Sequence, residues 1–118
     1  MRAIQVQQPG KVGVVDVTEP VLQHEKDVKI QMKAMGICGS DMHILHGENP
    51  FATYPRVIGH EVAGEVIETG DAVTSIHVGD RVVIEPMISC GKCYACRNNR
   101  PNVCEQVEVY GVHRDGGG

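Results

Sequence analysis

Val57-Ile58-Gly59-His60-Glu61-Val62-Ala63-Gly64-Glu65-Val66-Ile67-Glu68-Thr69 reads as one long β-strand, and its reading carries over to the rest of the chain. Its valines and isoleucines suit a pleated, half-buried surface. Gly59 and Gly64 interrupt the run, and glycine inside a strand marks a bulge or a close approach of another backbone. Between them lie His60 and Glu61, two side chains of metal-ligating type.

Strand signals continue outward on both sides. Residues 2–7 and 12–17 are two short strands about a turn at Pro9-Gly10. Over 28–34, Val28, Ile30 and Met32 alternate with Lys29, Gln31 and Lys33, the period of two of a half-buried strand. Arg81–Pro86 and residues 106–112 supply two more strands, with turns at Gly70-Asp71 and Gly79-Asp80. Residues 41–46 predict a short helix with Ser40 as N-cap, and Pro50 and Pro55 make 50–56 a loop. About six short strands with turns between them predict a barrel or a sandwich.

Composition agrees with a single, mainly β domain over residues 1–118. The 42% hydrophobic content is enough for one core, and that core is aliphatic, with no Trp, one Phe and three Tyr. The 14 Gly and 6 Pro call for frequent turns. A formal charge of −4, with scattered Lys and Arg, argues against a nucleic-acid or anionic-membrane surface. No run approaches the roughly 18 apolar residues of a spanning helix. Met1–Gln5 reads as the start of a strand and not as a signal peptide, so the expected compartment is the cytoplasm. Gly116-Gly117-Gly118 ends no recognisable element, and the chain is expected to continue beyond it.

Four of the five cysteines, Cys90, Cys93, Cys96 and Cys104, follow the spacing C-x2-C-x2-C-x7-C. A disulfide framework would want an even count and wider spacing. Four thiolates close a tetrahedral shell around Zn²⁺ with no open position, the mark of a structural site. Free buried cysteines would sit among apolar residues, whereas Lys92, Arg97, Asn98, Asn99 and Arg100 surround these. An iron centre of the rubredoxin kind would show two separated C-x2-C knuckles. The lobe over 90–104 has no apolar periodicity, so a metal must replace its core, and zinc–thiolate binding of about 10–16 kcal/mol is ample for that. Gly91 relieves the tight backbone between the first two ligands.

The fifth cysteine lies in Gly36-Ile37-Cys38-Gly39-Ser40-Asp41-Met42-His43, between a strand and the start of the helix. The dipole at a helix N-terminus favours a thiolate there. With Gly59-His60-Glu61-x-x-Gly64-x-Val66, the turn Val78–Val82 and the four-cysteine lobe, all in order, the sequence resembles the zinc-dependent medium-chain alcohol and polyol dehydrogenases. Their catalytic domain has a GroES-like β-barrel with short helices, and the resemblance covers essentially the whole chain.

That resemblance implies a catalytic zinc on residues matching Cys38, His60 and, in some members or states, Glu61, with a further ligand from beyond residue 118. It implies a proton relay through Ser40 and His43, and a carboxylate, Asp41, that orients His60. Relay chemistry is sound in itself, because a zinc-polarised alcohol gives up its proton and imidazole titrates near neutrality. The other reading of Ser40 and Asp41 is helix capping. The implied activity of the full-length parent is oxidation of a secondary alcohol with hydride transfer to NAD or NADP. No G-x-G-x-x-G fingerprint occurs here, so a Rossmann domain of the same chain is the expected partner, and this part alone is expected to be inert. Pro86–Cys90 and Tyr110–His113 look most like sorbitol- and sugar-acid-type dehydrogenases, with a small-molecule alcohol as substrate and a homo-oligomer as the full-length state. The rival class is a non-catalytic, zinc-stabilised GroES-like binding module, with one zinc instead of two. His24, His77 and His113 are expected at the surface or in packing. His46, Phe51 and Tyr54 lie nearer the site, the last two either walling a pocket or packing under the loop.

Overall fold

The computed structural model describes residues 1–118. Strands β1 (Arg2–Gln8) and β2 (Lys11–Asp16) form the expected hairpin, with Gly10 at φ +83° in its turn. Next come β3 (Val28–Gly36), α1 (Gly39–Leu45), β4 (Arg56–Val57) and β5 (Glu61–Thr69). The remaining elements are β6 (Arg81–Val83), β7 (Met87–Ile88), α2 (Tyr94–Arg97), a 3₁₀ turn at Pro101–Val103 and β8 (Glu108–Val109).

The chain is mainly β, but its strands lie in three sheets and do not close into a barrel. Their orders are β2-β1-β4, β3-β5-β6 and β7-β8, all antiparallel. Two of the expected strands are shorter than the pattern suggested. The run 57–69 is divided, because Gly59 takes φ +106° and turns the chain between β4 and β5. The strand expected over Arg81–Pro86 is shorter, Arg81–Val83, although Ile84 N–H still donates to Val62 O at 3.0 Å. Of the run 106–112, only Glu108–Val109 pairs as strand.

β3 pairs with β5 along its whole length, Gly36 opposite Glu61 at one end and Val28 opposite Thr69 at the other. The register slips twice, at Lys29/Ile30 and at Met32/Ala34. These bulges undo the simple alternation expected of β3, and Met32 is exposed. Gly64 answers to the second sequence expectation. A Cβ there would run into the Gln31 carbonyl of β3. β5 does alternate, with Val62, Gly64 and Val66 turned inward.

The principal core cluster is small. Val6 of β1, Ile44 of α1 and Val112 form its centre, with Leu45, Tyr54, Ile58 and Val109 packed around them. The cluster clamps α1 against β1, and Gly10 N–H donates to Leu45 O at 2.6 Å. Between Cys90 and Cys104 only Cys104 is buried. The lobe draws almost nothing from the apolar core.

Candidate metal centres

Gly36, Cys38, His60 and Glu61 are brought together by the β3–β5 ladder and the start of α1. Cys38 is the N-cap of that helix, with extended φ −93° and ψ 154°. The cap expected at Ser40 therefore moves two residues upstream, and Ser40 lies inside the first turn. The reason is Asp41. Its Oδ2 accepts the Cys38 N–H at 3.0 Å, and its own N–H donates to Cys38 O at 3.0 Å. A third-position carboxylate reaching back to the cap N–H satisfies a donor that the helix leaves free.

The Cys38 Sγ, a ring nitrogen of His60 and a carboxylate oxygen of Glu61 lie within 4.8 Å of one another. Gly36 permits this. A Cβ at Gly36 would collide with the Glu61 carboxylate, which lies over the strand end. Thiol, imidazole and carboxylate are the donors zinc takes at about 2.0–2.3 Å, so this set fits the metal. Beside it opens a groove of 490 Å³ walled by Met35, Glu61, Val62, Val83 and Ile84.

Asp41 is only 2% exposed. Its Oδ1 faces His60 Nδ1 at 3.7 Å, and both atoms are buried without a hydrogen-bond partner. A small ring rotation would join them, leaving Nε2 for a metal; a carboxylate behind a ligating histidine commonly fixes its tautomer in this way. Ser40 Oγ lies 3.5 Å from His60 Nε2, on the side of the ring turned away from Asp41. His43 follows one turn later and is exposed, its Nδ1 2.7 Å from Glu48 Oε2. No hydrogen bond joins Ser40 to His43. Glu48 was not among the residues singled out from the sequence, although the Gly47 turn, at φ +77°, brings it back beneath His43. The His43 contact holds the Glu48 carboxyl below its usual range.

The second group, Cys90, Cys93, Cys96 and Cys104, has all four sulfurs within 4.8 Å of one another, with no disulfide among them. Backbone amides converge on the sulfurs. Lys92 and Cys93 N–H groups each donate to Cys90 Sγ at 3.3 Å, and Cys90 N–H donates to Cys104 Sγ at 3.3 Å. Gly91, at φ +73°, makes the tight turn this needs. Such donors favour thiolate. They hold the Cys90 thiol below its usual value, and amides of Cys96 and Glu105 bring Cys93 down to about 6. Cys96 goes the other way, to about 11, chiefly because it is withdrawn from water. Four sulfurs at these separations leave room for one tetrahedral ion and no open position.

The residues set aside have ordinary roles. Tyr54 packs under its loop and donates from its hydroxyl to Ile44 O at 2.6 Å. His113 Nδ1 accepts the Val109 N–H at 3.1 Å, and its ring stacks on Phe51 at 5.5 Å. His77 lies 4.0 Å from Asp80 at the surface.

Residues 24–118 match the family described as the alcohol dehydrogenase GroES-like domain. The chain is 47% identical over 118 residues to an uncharacterized zinc-type alcohol dehydrogenase-like protein of Haemophilus influenzae, covering 99% of this chain and 34% of that protein. It is 38% identical over 117 residues to the L-galactonate-5-dehydrogenase of Escherichia coli K12, with the same two coverages. Among solved structures, the short chain alcohol dehydrogenase rspB of E. coli CFT073, complexed with NADH, matches with a TM-score of 0.89 and 43% identity. That match covers 99% of this chain and 34% of the other. The chain thus spans about a third of the length of these relatives.

Proposed function

Because this chain belongs to the alcohol dehydrogenase GroES-like domain family, we propose that it is the zinc-binding, catalytic-side domain of a longer NAD(P)-dependent dehydrogenase. One observation carries the reading. Cys38, His60 and Glu61 converge within 4.8 Å, and the Ser40 hydroxyl stands 3.5 Å from His60 Nε2. In this proposal Cys38, His60 and Glu61 hold the catalytic zinc, and Cys90, Cys93, Cys96 and Cys104 hold the structural one within a lobe over 90–104.

When bound, the catalytic zinc supplies Lewis-acid polarisation of an alcohol oxygen. The rest belongs to the chain's own residues. Asp41 holds the His60 ring from behind. Ser40 Oγ takes the substrate proton, and His43, steadied by Glu48, passes it to solvent. With no direct bond between Ser40 and His43, the transfer runs through water or through the substrate's own hydroxyls. The hydride goes to NAD or NADP on a Rossmann domain elsewhere in the full-length protein, a reading supported by the NADH complex of the rspB relative. The substrate is a secondary alcohol of a polyol or sugar acid, in keeping with the L-galactonate-5-dehydrogenase relative. We place the enzyme in the cytoplasm, where five unpaired thiols stay reduced, and as a homo-oligomer when full-length. No helix is long and apolar enough to cross a membrane.

The test is NAD⁺ and NADP⁺ reduction by the purified full-length protein across a panel of polyols and sugar acids, with Cys38→Ala as control. Turnover in the wild type that vanishes in Cys38→Ala is expected. A protein that reduces neither cofactor with any of them, and holds one zinc, is a binding module and not a dehydrogenase.

A further inference from the structure

The segment after β8 lies against the three residues that lead into His60. Gly116 N–H donates to Val57 O at 2.7 Å, Gly118 N–H to Ile58 O at 2.8 Å, and Gly117 N–H to Gly59 O at 3.1 Å. Three consecutive amides thus take three consecutive carbonyls. Asp115 adds a fourth tie, since its Oδ1 accepts the Val57 N–H at 2.9 Å and lies 3.4 Å from the Arg56 guanidinium.

The glycines are there because nothing larger fits. A Cβ at Gly116 would collide with Gly59 O, and one at Gly118 with Ile58 O. At Gly117 it would come within 2.8 Å of Val62 Cγ2, and at Gly111 within 2.9 Å of Gly59 N. Gly59 itself lies under Met35 Sδ with φ +106°. On the opposite side, β1 holds the same stretch through Ile58 N–H to Ile4 O at 3.3 Å and the Gln5–Val57 pairing. The backbone entering His60 is therefore held from both sides, while Asp41 faces its ring at 3.7 Å.

We propose that Asp115–Gly118 are a positioning strap for His60, fixing where its imidazole enters the Cys38/His60/Glu61 cluster. The proposal rests on that cluster being a metal site. These residues touch no reacting group. They act by denying the Val57–Gly59 backbone the freedom to shift, and the imidazole follows that backbone. The four-cysteine lobe takes no bond from the strap, so a strap of this kind affects one centre and spares the other.

The test uses full-length protein carrying zinc in the lobe and titrated with Co²⁺ at the Cys38 cluster. Gly116→Ala breaks the backbone contact, and Asp115→Ala removes the carboxylate while leaving the glycine packing intact. Gly13→Ala serves as control, since its Cβ would meet nothing nearer than 4.0 Å. Co²⁺ should bind about 10–100-fold more weakly in both strap variants, the scale for lost partners of a metal ligand. Its d–d absorption should shift, with lobe zinc unchanged and the Gly13→Ala protein like the wild type. Wild-type affinity and spectrum in both strap variants would overturn the proposal, and so would equal loss of metal from both centres. If Gly116→Ala fails to fold, Asp115→Ala decides alone. A wild-type protein that binds no Co²⁺ at Cys38 would remove the metal reading first, and the strap with it.

Discussion

Asp41 serves two donors at once, and replacing it with Asn separates them. One carboxylate oxygen accepts the Cys38 N–H at 3.0 Å, and the other faces His60 Nδ1 at 3.7 Å, in a site only 2% exposed. Asn has a single carbonyl oxygen and can satisfy only one of them. If it keeps the cap, its NH₂ meets the Nδ1–H that a metal on Nε2 requires, and two donors face each other. Metal affinity should then fall about 10–100-fold, or roughly 1.4–2.7 kcal/mol. Retention of the cap keeps the stability loss of the metal-free protein under about 1 kcal/mol. Asp41→Ala abandons both donors and leaves the Cys38 N–H bare, so stability itself should drop by about 1–3 kcal/mol. Chelator competition gives the zinc affinity of each variant, and urea unfolding of the metal-free protein gives its stability. Zinc affinity of Asp41→Asn equal to the wild type would refute the reasoning, because the carboxylate would then do nothing for His60.

Three further expectations follow. Ser40→Asn should lower turnover of the full-length enzyme by about 10²–10⁴ with little change in stability, since Cys38 and not Ser40 caps the helix; near-native kcat would remove Ser40 from the chemistry. Cys96→Ser should lose the lobe zinc and lower Tm while the Cys38 centre keeps its metal, as paired metal analysis and thermal unfolding would show; unchanged zinc content would sink the structural site. The metal-free domain should lose stability as the pH falls from 9.0 through about 6. The sign follows from the lowered Cys93 thiol, whose stabilising contribution is present above the ordinary thiol value of 9.0 and is lost as the pH falls through about 6. Cys96, raised to about 11, runs oppositely and loses its contribution only as the pH rises through that value. Urea unfolding of the metal-free protein across roughly pH 6–9, the span between the folded and ordinary thiol values, checks it, and stability that rises as the pH falls would contradict it.

The two centres were legible in the sequence to different degrees. The lobe's four cysteines are near neighbours in the chain, so spacing alone brings their sulfurs together. Cys38 and His60 are 22 residues apart, and only the resemblance joined them, because a strand pairing must form before they meet. The same pairing showed what periodicity could not, that Gly36 is bare so that Glu61 can lie across it. Glu48 escaped notice because a positive-φ turn at Gly47 places it, and a lone carboxylate in a loop carries no signal. The strap is made of backbone contacts, which side-chain patterns do not encode. Its one trace was three glycines in a row, read as an ending with no element. Strand limits escaped the pattern for a related reason. Gly59 looked like a strand residue by pattern, yet its φ of +106° turns the chain between β4 and β5.

The central claim is that this chain carries two metal centres that share no ligand. The most direct measurement is zinc per chain in the full-length protein by elemental analysis, for the wild type and for Cys38→Ala. Two zinc ions in the wild type and one in Cys38→Ala are predicted, with the remaining ion resistant to brief chelation. One zinc in both proteins, or none in Cys38→Ala, would contradict it.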